Sequence, residues 1–243
     1  MGKPREDQMK QSVVCISGGQ DSVTTYFAAK HETNVIGLIR FTYGQQHNEP
    51  EAYAVYQLAT REAHHGVLPY DCVKEVDISS LSAVTVSALN STAKGINVSE
   101  AHPLNPSLPA SFLPGRNLIM LTLASVYAQS VGAQEVWAGM CETDYSGYPD
   151  CRDKTIQTLA LAVRQGLDYE IDIITPLMFK DKADTFKMAY DLDELPWILE
   201  HTHTCYVGNH TVRHDWGYGC GVCPACEVRK KGFEGFQIRY PGL

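Results

Sequence analysis

Residues 17–22 read Ser17-Gly18-Gly19-Gln20-Asp21-Ser22, between the apolar run Val13, Val14, Cys15, Ile16 and the segment Val23-Thr24-Thr25-Tyr26-Phe27. Paired glycines at a strand-to-helix junction let the backbone turn tightly and approach an anion. Ser22 and the amides opening the next helix would face that anion, with the helix dipole assisting. The stretch is neither G-x-x-x-x-G-K-[ST] nor G-x-G-x-x-G. Taken alone it reads equally as a turn with Asp21 capping the helix.

A second cluster lies near the C-terminus. Cys205, Cys220, Cys223 and Cys226 stand in a C-x14-C-x2-C-x2-C pattern. Two-residue gaps let neighbouring thiolates converge on one ion, and four thiolates suit a structural Zn²⁺, which is tetrahedral and closed to water. Three cysteines within seven residues, among Gly217, Gly219 and Gly221, argue against a set of unconnected buried thiols. Two alternatives stay open: His201 or His203 in place of Cys205, and an iron–sulfur cluster, whose ferredoxin run continues to a further Cys-Pro. Cys15 and Cys72 read as core strand residues, and Cys141 and Cys151 are dispersed.

Three more stretches are rich in polar residues: Tyr43-Gly44-Gln45-Gln46-His47, Pro114-Gly115-Arg116-Asn117, and Asp144 to Arg152. Arg116 opens a helical pattern, where a cation is electrostatically misplaced unless an anion sits nearby. His47 reads equally as a surface residue, Asp150 as a cap for a helix from Asp153, and Tyr148 as core packing.

The elements that would position these residues follow from hydrophobic patterning. Val/Ile-rich runs at 12–17, 34–42, 70–77, 134–140 and 170–175 lack clean alternation, as strands covered on both faces do. Helical patterns lie between them at 21–31, 49–65, 116–131, 153–166 and 181–191. Strand alternating with helix implies a doubly wound α/β parallel sheet, with the polar stretches on its strand-end edge. Residues 80–114, with Pro103, Pro106, Pro109 and Pro114, are too long for a simple connection and read as a functional lid or a partly mobile loop, the lid being favoured. The expected division is an α/β domain over 10–200 and a small metal-binding appendage over 201–243.

The chain has 243 residues and a formal net charge of −8, which argues against a broad electrostatic grip on nucleic acid. Met1 to Gln11 has no apolar core of a signal peptide, and no apolar run approaches a membrane span, so a cytoplasmic protein is expected. In a reducing compartment eight cysteines suggest metal ligands or buried thiols rather than disulfides.

Ser-Gly-Gly-x-Asp-Ser resembles the pyrophosphate-binding loop of the ATP pyrophosphatase, or PP-loop, family. That family adenylates a carbonyl or carboxyl oxygen, releases pyrophosphate and lets a nucleophile displace AMP. The full set of motifs runs in order along nearly the whole chain. It comprises SGGQDS, Tyr-Gly-Gln-x-His, Pro-Gly-Arg-Asn, Asp-x-Ser-Gly-Tyr-Pro-Asp-Cys-Arg, Thr-Pro-Leu at 175–177 and the final Gly-Cys-Gly-x-Cys-Pro-Ala-Cys. Together they resemble the 7-cyano-7-deazaguanine synthase family. One departure is a longer Cys205–Cys220 interval, with Asn209 to Asp215 resembling an insertion.

The resemblance implies conversion of 7-carboxy-7-deazaguanine, ammonia and ATP to 7-cyano-7-deazaguanine in queuosine biosynthesis, with structural zinc and a homodimer. It places ATP against Ile16, Ser17, Gly18, Gly19, Gln20, Asp21, Ser22, Val23, Thr24, Thr25 and Tyr26, with Asp21 a Mg²⁺ ligand or a loop-shaping residue. Asp21, Ser22 and Arg116 are the expected catalytic group, with Lys180 and Lys182 as further polyphosphate candidates. Tyr43, Gln45, His47, Asp144, Tyr148, Asp150 and Arg152 are expected at the substrate, Asp150 reading the guanine-like edge and Tyr148 stacking. Cys205, Cys220, Cys223 and Cys226 are the expected metal ligands. Another PP-loop enzyme acting on tRNA, and a zinc-dependent nucleic-acid-binding module, are the competing readings.

Overall fold

The computed structural model describes residues 9–85, 87–89, 100–102, 105–143 and 147–242. Five strands form one parallel sheet: β1 (Gln11–Cys15), β2 (Asn34–Thr42), β3 (Val73–Asp77), β6 (Glu135–Trp137) and β7 (Asp172–Ile174). Their order is β3-β2-β1-β6-β7, so the chain reverses direction of winding between β1 and β6. Between the strands run α1 (Gln20–Glu32), α2 (Asn48–His64), α3 (Arg116–Ser130) and α4 (Asp153–Leu167). After β7 come α5 (Lys182–Asp191), α6 (Leu195–His201) and α7 (Pro224–Arg239). Two short antiparallel pairs, β4 (Ala101–His102) with β5 (Asn105–Pro109) and β8 (Arg213–His214) with β9 (Gly217–Tyr218), complete the described strands, and two 3-10 turns lie at Ser79–Ala83 and Pro149–Cys151.

Burial on both faces explains the unbroken apolar strands. Val13, Ile39 and Val136 point to one side, against Leu121, Ala124 and Ala128 of α3 and Ile156 and Val163 of α4. Their neighbours Val14, Leu38 and Trp137 point to the other side, against Val23, Tyr26 and Phe27 of α1 and Val55 and Leu58 of α2. Adjacent residues thus alternate between two apolar cores, and no polar face remains to mark the period.

Strand ends differ from the sequence expectation in β1, β3, β6 and β7, most at the start of β3 and the end of β6. β3 begins at Val73 rather than at 70, because Tyr70 and Asp71 lie in an exposed turn. β6 ends at Trp137; Ala138 still donates its amide to the Ile174 carbonyl at 2.9 Å, and from there Ala138, Gly139 and Met140 run along the cavity wall.

A third core joins α5, α7 and the cysteines. Phe186 of α5 packs edge-on against Phe233 of α7, ring centroids 5.3 Å apart, in one cluster with Cys205, Cys223, Cys226 and Trp216. This core holds residues from both sides of position 201. Gly232 allows the approach, since a Cβ there would lie 2.4 Å from the Cβ of Lys182. Fully buried Arg229 donates to the carbonyls of Trp216, Thr202 and Ile198 and to Thr204 Oγ1. Burial lowers its pKa to about 10, so it remains a cation at neutral pH, tying α7 to the segment after α6.

The candidate active site and the metal centre

A cavity of about 300 Å³ opens at the C-terminal ends of β1, β2 and β6, beside the reversal in strand order. Open α/β sheets bind ligands at this place, because loops from neighbouring strands diverge there.

Its floor is the loop after β1. Gly18 has φ +83°, and a Cβ on it would lie 2.6 Å from the carbonyl oxygen of Glu51, so only glycine fits. Ser22 Oγ accepts from the Ser17 amide at 3.1 Å and donates to the Gly19 carbonyl at 3.0 Å, closing the loop on itself. The N-cap of α1 is Gly19, with no side-chain cap, so Asp21 sits in the first turn and does not cap the helix. The uncapped amides at this helix start present partial positive charge to the cavity. Gln20 is buried on the wall and its amide has no partner among the described residues; the same is true of Asp21 Oδ1. The other Asp21 oxygen pairs with Lys182 Nζ.

Lys182 and Arg116 share an electrostatic situation. Lys182 is the first residue of α5, behind an Asp181 capping box, and Arg116 is the first residue of α3, behind Gly115 at φ +77°. A cation at a helix N-terminus is disfavoured by the dipole, and both line the cavity where an anion would offset it. Arg116 lies over the Tyr43 ring at 5.3 Å and donates to Tyr43 Oη at 3.3 Å. Burial works against its charge, but Tyr43, Tyr148 and Asp150 outweigh burial and hold its pKa above the ordinary value.

The opposite wall is more apolar, with Phe41, Leu89, Met120, Met140 and Tyr148. Tyr148 is buried against Phe112 and shares a 2.7 Å hydrogen bond with Ser111. Leu89 comes from the 80–114 stretch. Its neighbour Ala88 donates its amide to the Ala110 carbonyl at 2.8 Å, so this described part of the stretch is a fixed piece of wall. The rest of the expected lid, residues 86, 90–99 and 103–104, falls outside the described residues.

Tyr43, Gln45 and His47 meet around Glu51. Gln45 Nε2 donates to Glu51 Oε2 at 3.2 Å, and His47 Nε2 lies 3.5 Å from Glu51 Oε1. Burial raises the Glu51 pKa to about 7, opposed by the Gln45 hydrogen bond and by Arg40 and Arg116. Burial also lowers His47 to about 4, so its imidazole is neutral at physiological pH.

The expected site residues therefore separate by position. Ile16, Ser17, Gly19, Gln20, Asp21, Ser22, Tyr43, Gln45, His47, Arg116 and Tyr148 reach the cavity. Val23, Thr24, Thr25 and Tyr26 are buried in α1 behind the loop and support it from within. Asp150 is buried and turned away: its oxygens accept from Asn117 N and Asn117 Nδ2, each at 3.1 Å. It serves the start of α3, and Arg152 is the N-cap position of α4. Arg152 is exposed and does not line the cavity. Asp144 falls outside the described residues. Lys180 lies in a neighbouring surface hollow with Asp153 and Phe179.

Sequence reasoning missed two parts of the wall. Glu51 stands four residues after His47 on the same helix face, a spacing visible in the sequence. His203, Thr204 and Tyr206 arrive from the cysteine-rich region, and nothing in the sequence places them beside the first strand. The His203 amide donates to the Gly18 carbonyl at 2.9 Å, fastening this segment onto the β1–α1 loop.

Between them lies Cys205. The Sγ atoms of Cys205, Cys220, Cys223 and Cys226 all lie within 4.8 Å of one another, with 3.9 Å between Cys220 and Cys226 and 4.0 Å between Cys223 and Cys205. Tetrahedral metal–sulfur bonds of about 2.3 Å put sulfurs about 3.8 Å apart, so the set fits one metal ion such as zinc. Cys205 completes it, and His203 Nε2 bonds to the Cys205 carbonyl at 2.8 Å instead. Hydrogen bonds from the Cys223 and Cys226 thiols pull Cys205 towards thiolate. The longer Cys205–Cys220 interval is taken up by the β8–β9 hairpin, where His214 stacks on Trp216 with ring centroids 4.3 Å apart.

The fold and its loop define a PP-loop α/β protein. A solved 4-thiouridine synthetase–RNA complex with bound ATP is similar in fold, with TM-score 0.50 and 14% identity over 93% of this chain and 53% of that one. The family model described as queuosine biosynthesis protein QueC matches residues 11–237, and the chain belongs to that family. A 7-cyano-7-deazaguanine synthase of Helicobacter pylori (strain P12) is 40% identical over 227 residues, covering 93% of this chain and 96% of the relative. A protein named 7-cyano-7-deazaguanine synthase 1 from Rhodopseudomonas palustris (strain HaA2) is 41% identical over 246 residues, covering 98% and 99%.

Proposed function

We infer that the chain catalyses the reaction its relatives are named for, making 7-cyano-7-deazaguanine from 7-carboxy-7-deazaguanine, ammonia and ATP. The observation that carries this reading is a single cavity joining the phosphate loop, two helix-start cations and a largely apolar wall. A carboxylate is a poor electrophile because its leaving group would be oxide. Adenylation supplies AMP as the leaving group, ammonia displaces it to give the amide, and a second adenylation lets the amide oxygen leave.

Ser17 to Ser22, with Arg116 and Lys182, bind the polyphosphate and stabilise charge on it, which is most of what such a transfer needs. Tyr43, Gln45, His47 and Tyr148 surround the deazapurine. Asp21 Oδ1, buried and without a partner among the described residues, is the position for Mg²⁺ beside the phosphates. The cysteine set holds structural zinc; its sulfurs crowd closer than those of a [4Fe–4S] cluster, where each thiolate takes a different iron. Residues 10–200 carry the reaction and 201–243 form the zinc-binding appendage that closes its wall. The enzyme is a cytoplasmic homodimer acting on small molecules rather than nucleic acid. Among the described residues no helix is long and apolar enough to cross a membrane, and exposed Ile119 and Val126 on α3 and Leu161 on α4 supply apolar surface for a partner subunit.

Incubation of the chain with ATP, Mg²⁺, ammonium and 7-carboxy-7-deazaguanine, followed by mass spectrometry, tests the reading. Nitrile with AMP and pyrophosphate is the expected result. AMP without nitrile would move the substrate elsewhere among adenylating enzymes, and no AMP would sink the assignment.

A further inference from the structure

We propose that Glu51 is a catalytic residue, the base that takes the nitrogen-bound protons as the amide forms and as the nitrile closes. The proposal rests on the function inferred above.

The chemistry requires an acceptor. When the ammonia lone pair forms the C–N bond, the C–O bond to AMP breaks with its electron pair and one N–H proton must leave. In the second round the amide oxygen attacks the α-phosphorus and pyrophosphate departs. Two further N–H protons then leave as the C≡N bond forms and AMP is expelled. Each proton passes to a Glu51 oxygen and from there to water.

The geometry puts Glu51 where those protons are released. It lines the cavity, and the backbone of its turn packs on Gly18 of the phosphate loop. Gln45 holds one oxygen and His47 lies beside the other, which fixes the carboxyl on the wall. Among the described lining residues the carboxyls are Asp21 and Glu51, and Asp21 is paired with Lys182. The charged and titratable groups facing Glu51 are Arg40 from β2, Tyr43 and His47 from the β2–α2 junction, and Arg116 from α3. Arg40 is already engaged by Glu75 and Asn48.

The neighbouring groups suit the task less well. Burial lowers His47 to about 4, too weak a base, and raises Tyr43 to about 12, too reluctant to ionise. A base near the working pH combines availability with driving force, and Glu51, raised to about 7 by its burial, meets that condition.

The test separates adenylation from amination in E51Q, with E51D as the conservative control. ATP–pyrophosphate exchange driven by 7-carboxy-7-deazaguanine without ammonium should stay within about threefold of wild type. Nitrile kcat should fall about 100-fold or more, the usual scale for loss of a general base, with partial recovery in E51D. In wild type, kcat at fixed free ammonia should rise with pH through about 7, and this limb should vanish in E51Q. An unchanged kcat in E51Q, joint loss of exchange and turnover, or a flat wild-type profile would each overturn the proposal. The wild-type profile decides even if E51Q does not fold. Absence of exchange in wild type would instead defeat the inferred function, and the role of Glu51 with it.

Discussion

The cavity has two walls of opposite origin. The β1–α1 loop, Ser17 to Ser22, is local: six consecutive residues, shaped by Gly18 and by Ser22 bonding within the loop. The 203–206 segment is non-local. It is fastened by the His203 amide to Gly18, by Cys205 to the sulfur cluster, and through Thr202 and Thr204 to buried Arg229. One cavity thus combines a wall formed by short-range geometry with one anchored on a four-cysteine cluster and on a core shared by α5 and α7. A fault in the first should act on ligand affinity; a fault in the second should also act on stability.

The largest expected effect comes from the metal. Chelation, or Cys223→Ala, should lower the melting temperature, weaken ATP binding and remove turnover together, because structural zinc sites contribute directly to folding. Metal analysis with calorimetry and nucleotide titration checks this; full ATP affinity in metal-free protein would break the comparison. Gly18→Ala comes next. Its left-handed φ and the 2.6 Å contact with Glu51 O should cost about 2 kcal/mol or more and sharply weaken nucleotide binding, with metal content unchanged.

Gly232→Ala joins the two regions. The new Cβ would press on Lys182 across α7 and α5, raising KM for ATP from outside the cavity. Asp150→Ala should remove about 1 kcal/mol of stability by uncapping Asn117 at the start of α3, measured by denaturant titration. The last effect is read against pH rather than on a single condition. His47 titrates near 4 when folded and near 6.5 when unfolded, so below 6.5 the unfolded chain binds the extra proton. Stability should therefore fall as pH drops from about 6.5 towards 4, and His47→Gln should flatten that slope.

Much was legible in the sequence where the signal was local. The strand and helix pattern, the parallel sheet and the four cysteines follow from apolar runs, glycine placement and ligand spacing. Glu51 was legible as the fourth residue after His47 but did not stand out in an ordinary acidic helix start. Asp150 shows the opposite limit. Its carboxylate in a polar stretch reads as a ligand contact, yet each oxygen accepts a hydrogen bond from Asn117, 33 residues away, and Asp150 is not among the residues lining the cavity.

The five strands of the central sheet, the tight glycine turn after β1 and the Cys220, Cys223, Cys226 run can be placed from the sequence alone, because each depends on neighbours a few residues apart. Only the assembled fold brings His203, Thr204 and Tyr206 into the cavity wall beside the β1–α1 loop, puts Cys205 rather than His201 or His203 in the sulfur cluster, pairs Lys182 with Asp21 and leaves Arg152 outside. Those outcomes depend on crossover packing and on desolvation, which brings Glu51 to about 7 and His47 to about 4. Neither is encoded in any short stretch, because burial is a property of the assembled fold.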